Sequence, residues 1–512
     1  MSQERLNRHQ RTITKRIIVR GTLILATPTC LGSGDADSPT DLPLLRDSIS
    51  DRALLTGASI AGALRNYLHE YEQGYNKSAV SNSLATKLFG HLFRYESNPK
   101  KPLIAEEENQ SPLIINDALS SKVPIVELRD GVKIKGTTGT ADDGAKYDLE
   151  LLEAGTEFNL YFELLIEQDE DTLKEALALA LKGLEKGEIS IGIKKHRGFG
   201  CCHVEKWQVW EFNLQKPKDR IEWLKFDHWS ETLSTKKAPQ ASIVSALGGV
   251  SLKQQVDRRD RLFIKAKFKL ASPLLIRSSQ NFIKNSKSCA PDVVHLRSKR
   301  KGKLEPIISG TSLAGVLWHR AERIVTTLEK DLKIVYAVFG DVKENNQEAK
   351  ASRLAVYESV IEDTDDLVQS RIAIDRFTGG TYHGALFHEQ PVFGVEKKVE
   401  AKKSKKDKNK SKPIETFKHL ELKIELRQPD QHEIGLLLLL LKDLCTGDLP
   451  IGGTSSIGRG RLQGVEATIS WQQPEKSEQK WQIYQDNDQI TISDEDRESL
   501  EDFVKKFVEE AP

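Results

Sequence analysis

One loop comes closest to reaction chemistry by residue type: Gly32-Ser33-Gly34-Asp35-Ala36-Asp37-Ser38-Pro39-Thr40-Asp41-Leu42-Pro43-Leu44-Leu45-Arg46-Asp47. Carboxylates on a glycine-bearing loop can hold a hard divalent ion through oxygen ligands, or position a reacting hydroxyl. The loop is not an EF-hand, which needs Glu at its twelfth position; by spacing alone a solvated loop is the simpler reading. In the comparable stretch of the second half, residues 291–297, the acidic residue is Asp292. Two glycine loops add cations to close backbone approach. They are Gly192-Ile193-Lys194-Lys195-His196-Arg197-Gly198-Phe199-Gly200 and Gly452-Gly453-Thr454-Ser455-Ser456-Ile457-Gly458-Arg459-Gly460-Arg461. Neither is a P-loop, since GxxxxGK[ST] does not occur. Their place before a strand fits a turn that cradles a sugar–phosphate backbone, with a purely structural turn as the plain alternative.

Two helix starts, Gly57-Ala58-Ser59 and Gly310-Thr311-Ser312, group free N–H donors with a small hydroxyl, an arrangement that receives phosphate. Taken singly, each also reads as an ordinary capped helix in tight packing. Arg65 and Arg320 follow about two turns on and could add charge. No Ser/His/Asp elbow, HExxH or GxGxxG pattern occurs. His295, His319, His383 and His388 fall in groove-like segments, but each alone reads as a hydrogen-bonded surface or core residue.

The elements that must position these groups occur twice. Leu55–Leu64 matches Ile308–Leu317, and Leu88-Phe89-Gly90 matches Val338-Phe339-Gly340. Ile134, Thr138, Gly139, Gly144, Ala145 and Tyr147 match Ile374, Thr378, Gly379, Gly384, Ala385 and Phe387 at a constant offset, and Gly192, Gly198 and Gly200 match Gly452, Gly458 and Gly460. Four landmarks in one order mean a tandem duplication. Period-two alternation over Ile264–Leu270 predicts a strand with a lysine-bearing face, and Ile17–Leu25 is its counterpart. Ala176–Leu184 and Ile434–Leu444 read as helices leading to the glycine loops. The fold expected is α+β, with helices on one sheet face of each unit. The boundaries expected are 15–212 for the first unit, 213–259 for a linker, 260–470 for the second unit and 471–512 for a C-terminal extension. The second unit carries a lysine-rich insertion at 396–413. Ser493–Glu510 reads as a capped acidic helix for docking or subunit contact.

Composition narrows the class. The chain has 512 residues, 76 Lys+Arg against 75 Asp+Glu and a net charge of +1, so it is not a uniformly basic nucleic-acid coat, although a local basic groove is compatible. No apolar run approaches the ~20 residues of a membrane span. The polar, basic N-terminus has no apolar segment behind it, and five cysteines without CxxC spacing argue against a disulfide or zinc scaffold. The expectation is a soluble protein of a reducing, cytoplasmic compartment, with no membrane partner.

Taken together the landmarks resemble the RAMP superfamily, and more narrowly the backbone subunit of type III CRISPR-Cas effector complexes in tandem, as in subtype III-D. The residues that carry the resemblance are the G-x-G-D loop (Gly32–Asp35), the D-x-P-x-x-[RK]-D element (Asp41, Pro43, Arg46, Asp47), the G-x-S helix, and R-G-x-G (Arg197–Gly200). The second unit adds I-D-R-x-T-G-G (Ile374–Gly380) and G-x-L-F (Gly384–Phe387). The resemblance implies two modified ferredoxin-like (RRM-like) domains, each with a projecting thumb hairpin. It implies a chain that binds guide CRISPR RNA and complementary target RNA beside other type III subunits.

By that resemblance the target-cutting aspartate, acting with a divalent cation such as Mg²⁺, falls on Asp41. Asp37 is a competing match, and Asp292 is the counterpart in the second unit, so the metal would sit at Asp41 and Asp292. RNA contacts are expected at Gly57, Ser59, Arg65, Lys194, Lys195, Arg197, Gly198 and Gly200, and at Gly310, Ser312, Arg320, Arg376, Gly452, Gly453, Gly458, Arg459 and Gly460. Two rival readings stay open: the same scaffold without catalysis, and a guide-precursor ribonuclease working through histidines such as His196 and His295.

Overall fold

The computed structural model describes residues 12–34, 40–78, 80, 82–91, 110–167, 170–230, 232–252, 255–278, 291–300, 302–341, 349–382, 385–395, 418–486 and 489–509. Asp37, His383 and the tract 396–413 lie outside them. In the first unit, β1 (Lys15–Leu25) leads through the acidic loop to α1 (Gly57–Gln73). There follow β2 (Leu113–Ile115), a long hairpin β3 (Val126–Ile134) and β4 (Ala141–Leu152), then β5 (Glu157–Ile166), α2 (Glu170–Glu185) and β6 (Cys202–Asn213). The sheet runs β2-β5-β1-β6, antiparallel throughout. This is the β-α-β-β-α-β arrangement of ferredoxin-like domains, with the β3–β4 hairpin inserted between its second and third strands.

Ile17, Val19, Leu23 and Leu25 of β1 share one core with Leu64 and Leu68 of α1 and with Leu177 and Leu181 of α2. Residues Ala176 to Leu181 are all buried. A helix that is apolar all round must be covered all round, and a short helix from the inter-unit segment, described below, packs on its far side.

The second unit repeats the plan. β7 (Arg261–Leu270) leads to β8 (Val293–His295), the hairpin β9 (Arg297–Arg300) and β10 (Lys303–Ile308), α3 (Gly310–Thr327) and β11 (Leu354–Val356). Next come β12 (Gln369–Arg371), β13 (Phe387–Gln390), β14 (Leu420–Arg427), α4 (Gln431–Cys445) and β15 (Leu462–Gln472). Sheet order β11-β14-β7-β15 matches the first unit strand for strand. Two more strands, β16 (Gln479–Asp486) and β17 (Gln489–Ile492), extend the sheet, and α5 (Asp494–Glu509) packs on α4. The Ser493 hydroxyl caps α5 by accepting from the Asp496 N–H at 3.2 Å. Leu500, Phe503 and Phe507 are buried in the chain's own second core, which takes up the face expected to meet a partner.

The segment between the units is not a free tether. Its helix Pro217–Leu224 and the turn after it bring Trp223 and Phe226 onto the outer sheet face, over Arg16 and Arg20. Gln240 then pairs with Trp207 at the edge of β6, and the short helix Ile243–Ala246 packs against α2.

The two units meet head to tail. Arg129 of β3 pairs with Glu127 and with buried Glu358, which also takes Arg300 of β9. Glu127 accepts from the Ser298 hydroxyl at 3.0 Å. Among the described residues no helix is long and apolar enough to cross a membrane.

Candidate nucleic-acid interface and aspartate sites

Asp41 and Asp292 hold one position in the two units. In the first, Leu42 bridges Leu149 of β4 in parallel, and Asp41 Oδ2 accepts the Asp148 N–H at 2.8 Å. In the second, Val293 pairs in parallel with Glu389 of β13, and Asp292 Oδ2 accepts the His388 N–H at 2.7 Å. The Asp292 N–H returns a bond to the His388 carbonyl at 2.9 Å. Both aspartates are exposed, each with one carboxylate oxygen anchored on backbone. Glu150 pins the first loop to its hairpin, accepting from the Thr40 hydroxyl at 3.3 Å and the Leu44 N–H at 3.1 Å. Asp47 instead builds a turn. It accepts from the hydroxyl and N–H of Ser50, and those bonds hold its carboxyl below the ordinary range.

The glycine loops are copies in backbone conformation. Lys194 and Thr454 open them in the left-handed region (φ 54° and 61°), a single 3₁₀ turn follows, and Gly198 and Gly458 close it at φ 82° and 87°. A Cβ at Gly200 would overlap the Ile191 carbonyl oxygen, and at Gly460 the Ile451 carbonyl oxygen, so both positions require glycine. The loops differ in what they face. Gly198 is buried against the backbone of Tyr357 and Glu358 in the second unit, whereas Gly452 and Gly458 are exposed.

The helix starts differ in the same way. Their N-caps are Thr56 and Ser309, which accept from the N–H groups of Ser59 and Ser312 at 3.2 Å each. Ala58 and Ser59 are exposed, but Gly310 lies against the Arg197 carbonyl of the first unit's glycine loop.

Several of the residues expected to contact RNA have partners within the chain. Gly57, Gly200, Gly310 and Gly460 serve backbone packing, and Gly198 serves the contact between the units. Arg320 is engaged by Asp443 at 2.6 Å, and Arg459 is buried on Glu389 at 2.7 Å. Arg65 donates to the Gly90 carbonyl at 2.9 Å. Arg197 is half-buried, with Nη1 lacking a hydrogen-bond partner. Ser59, Lys195, Arg376, Gly452 and Gly458 are exposed; Lys194 lies over the Tyr147 ring, 3.6 Å from its centroid, and Ser312 and Gly453 are half-buried.

Of the two histidines named for the guide-precursor reading, one is fully enclosed. His295 is 1% exposed, accepting from the Ile276 N–H at Nδ1 and bonded at Nε2 to the Ile307 carbonyl. Burial pushes its pKa down to about 3. His319 joins the units instead, through Nε2 to the Ile134 carbonyl at 3.1 Å.

Sequence reasoning missed Asp148, Glu150 and Glu389, and it named His388 without linking it to Asp292. They become relevant through the parallel pairing of loop and hairpin, for which no local motif exists. The duplication signal could have found them, since Asp148 and His388 lie at the same offset as the matched loop residues.

A model of the RAMP superfamily matches residues 22–203 and 267–463, which together cover most of the chain. No curated protein matches it. The two matched segments fall on the two ferredoxin-like units that carry Asp41 and Asp292, and the chain belongs to the RAMP superfamily, whose membership implies a CRISPR-associated RNA-binding role.

Proposed function

We propose that this chain is a backbone subunit of a type III CRISPR effector complex, holding guide RNA and cutting complementary target RNA at aspartate-dependent sites. The observation that carries the reading is the shared geometry of Asp41 and Asp292. Each sits on an exposed loop paired in parallel to a hairpin strand, with one oxygen fixed by that strand's N–H. In this reading the hairpins are thumbs that splay the guide–target duplex, and the open loop 452–458 and the exposed start of α1 touch the guide backbone.

RNA brings its own nucleophile, the 2′-hydroxyl. A fixed carboxylate needs only to orient that hydroxyl toward a phosphorus already in line and take its proton. The products are then a 2′,3′-cyclic phosphate and a 5′-hydroxyl.

The first site fits a divalent cation. Asp41 and Asp148 supply hard oxygen donors from adjoining backbone, and Asp148 Oδ1 already draws a cation, Lys146 Nζ at 3.6 Å, which a metal ion there would displace. Mg²⁺ is commonly held by one or two carboxylates plus phosphate and water. Asp41 and Asp148 would hold it, and when bound it would stabilise charge on the phosphate oxygens. At Asp292 the neighbour is His388, whose Nδ1 is bonded to the Ser370 hydroxyl at 2.9 Å, so the donor set is poorer. The one group of three candidate ligands among the described residues, Asp430, His432 and Glu433, is a helix cap in which Glu433 is tied to Arg353.

The test is Asp41→Ala and Asp292→Ala, singly and together, in the assembled complex with complementary RNA. Each single variant should lose its own product band while guide content stays constant. A double variant that cuts like the parent leaves only the scaffold function.

A further inference from the structure

The two units differ most sharply beside Asp292. Glu389, 1% exposed, is surrounded by three guanidinium groups: Arg459 Nη1 at 2.7 Å, Arg371 Nε at 3.1 Å and Arg277 Nη2 at 3.8 Å. Gln369 closes the group by accepting from Arg459 at 2.6 Å. Three cations on one carboxylate leave a net charge of +2 among these side chains. Each guanidinium has five N–H donors, whereas a carboxylate offers about four acceptor sites, so donors remain in excess. The side chain of Arg459 is 4% exposed and that of Arg277 is 60% exposed, so the cluster runs from the interior to the surface. Arg277 also lies over the exposed glycine loop, with Nε 3.6 Å from where a Cβ of Gly453 would be.

None of this has a counterpart in the first unit. By strand register and loop position, Glu389 corresponds to Leu149, Arg371 to Gly131, Arg277 to Gly32 and Arg459 to Phe199. There Leu149 and Phe199 form a small apolar cluster with Cys30 and Leu151. Duplicated backbone thus carries an apolar plug in one copy and a cation cluster in the other.

A buried glutamate with surplus arginines is a scaffold that pre-orients guanidinium forks, the groups best matched to phosphate. Val293, next to Asp292, pairs with Glu389 itself, which sets the cluster directly beside the proposed reacting carboxylate. We propose that Arg277 and Arg371, gathered on Glu389 with Arg459 behind them, form an RNA phosphodiester clamp of the second unit alone. It grips the backbone next to Asp292 and supplies positive charge where the metal donor set is poor. This rests on the RNA-binding reading above; Arg277 and Arg371 are its phosphate-binding residues, and Glu389 with Arg459 positions them.

The test uses the full chain and a labelled single-stranded guide RNA, first alone and then with complementary RNA added, with affinity measured across a salt series. Each phosphate contact to a single strand contributes about 0.7 to the slope of log K against log salt. Arg277→Ala and Arg371→Ala should each lower the slope by about that amount, and circular dichroism checks that they fold. A loss with guide alone assigns the clamp to the guide strand; a loss only after complementary RNA is added assigns it to the target strand. Parental slopes for both variants in both arms, with the parent binding RNA, overturn the clamp and leave the wider reading standing. A parent chain that binds no RNA overturns both.

Discussion

Gly460 illustrates how tightly single residues set the sites. Its φ of 80° and the Ile451 carbonyl beside it leave no room for a Cβ. Gly460→Ala should cost at least ~1–3 kcal/mol and lower the melting temperature of the second unit, measured by calorimetry. Gly458 has open space around it, so only its left-handed φ of 87° resists substitution and Gly458→Asn should be nearly silent in the same assay.

Histidine chemistry gives a second prediction. Burial lowers the pKa of His196 to about 4 and of His295 to about 3. A folded-state value below the unfolded ~6.5 means that the unfolded chain binds more protons in this range. The stabilisation is complete above pH ~6.5 and is lost as pH falls toward 4 for His196 and toward 3 for His295, on the order of 3 and 5 kcal/mol. In histidine side-chain NMR the His295 ring should not titrate above pH 5; a midpoint near 6.5 would contradict its buried place.

Asp41 could be nominated from the sequence because its motif is local. The groups that hold Asp41 and Asp292 could not, because Asp148 is 107 residues from Asp41 and His388 is 96 from Asp292. Only the folded pairing brings them together.

At the scale of elements, both units must protect an edge strand and cover an apolar helix, and they do so with different pieces. The first uses the inter-unit segment, which pairs Gln240 with Trp207 on β6 and packs a short helix on α2. The second adds β16 to β15 and lays α5 on α4, where Gly435 lets the Phe503 backbone approach closely. Ending the chain after Ile492 should expose α4 and forfeit burial of Leu500, Phe503 and Phe507, about 1.5–3 kcal/mol for each side chain. The second unit should then melt earlier and be cut first in limited proteolysis; unchanged melting would show that α5 is dispensable. The duplication and the strand–helix order were legible because hydrophobic period survives copying. That 213–259 packs in part on its neighbours was legible in its tryptophans, whereas the pairing of Gln240 with the edge strand and the seating of the short helix on α2 have no local pattern to announce them.

For the whole molecule, the contact between the units decides its behaviour. Glu358 and Arg129 are almost fully buried there, and removing one partner of a buried pair strands the other at a cost of about 3–5 kcal/mol. Arg129→Ala should therefore uncouple the units, splitting one denaturation transition into two. A single transition of unchanged midpoint would show that the ion cluster does not join them.

The backbone of Gly198 lies directly on that of Glu358, with no side chain of its own between them. The separation of Asp41 from Asp292 is thus set by main chain against main chain, and the covalent tether does not act as a ruler. Splicing extra Gly-Ser residues into an exposed turn of 213–259 should leave unchanged the distance between the two cut positions proposed above for a target strand. If that distance grew with every inserted residue, length along the chain, and not the seam, would be the gauge.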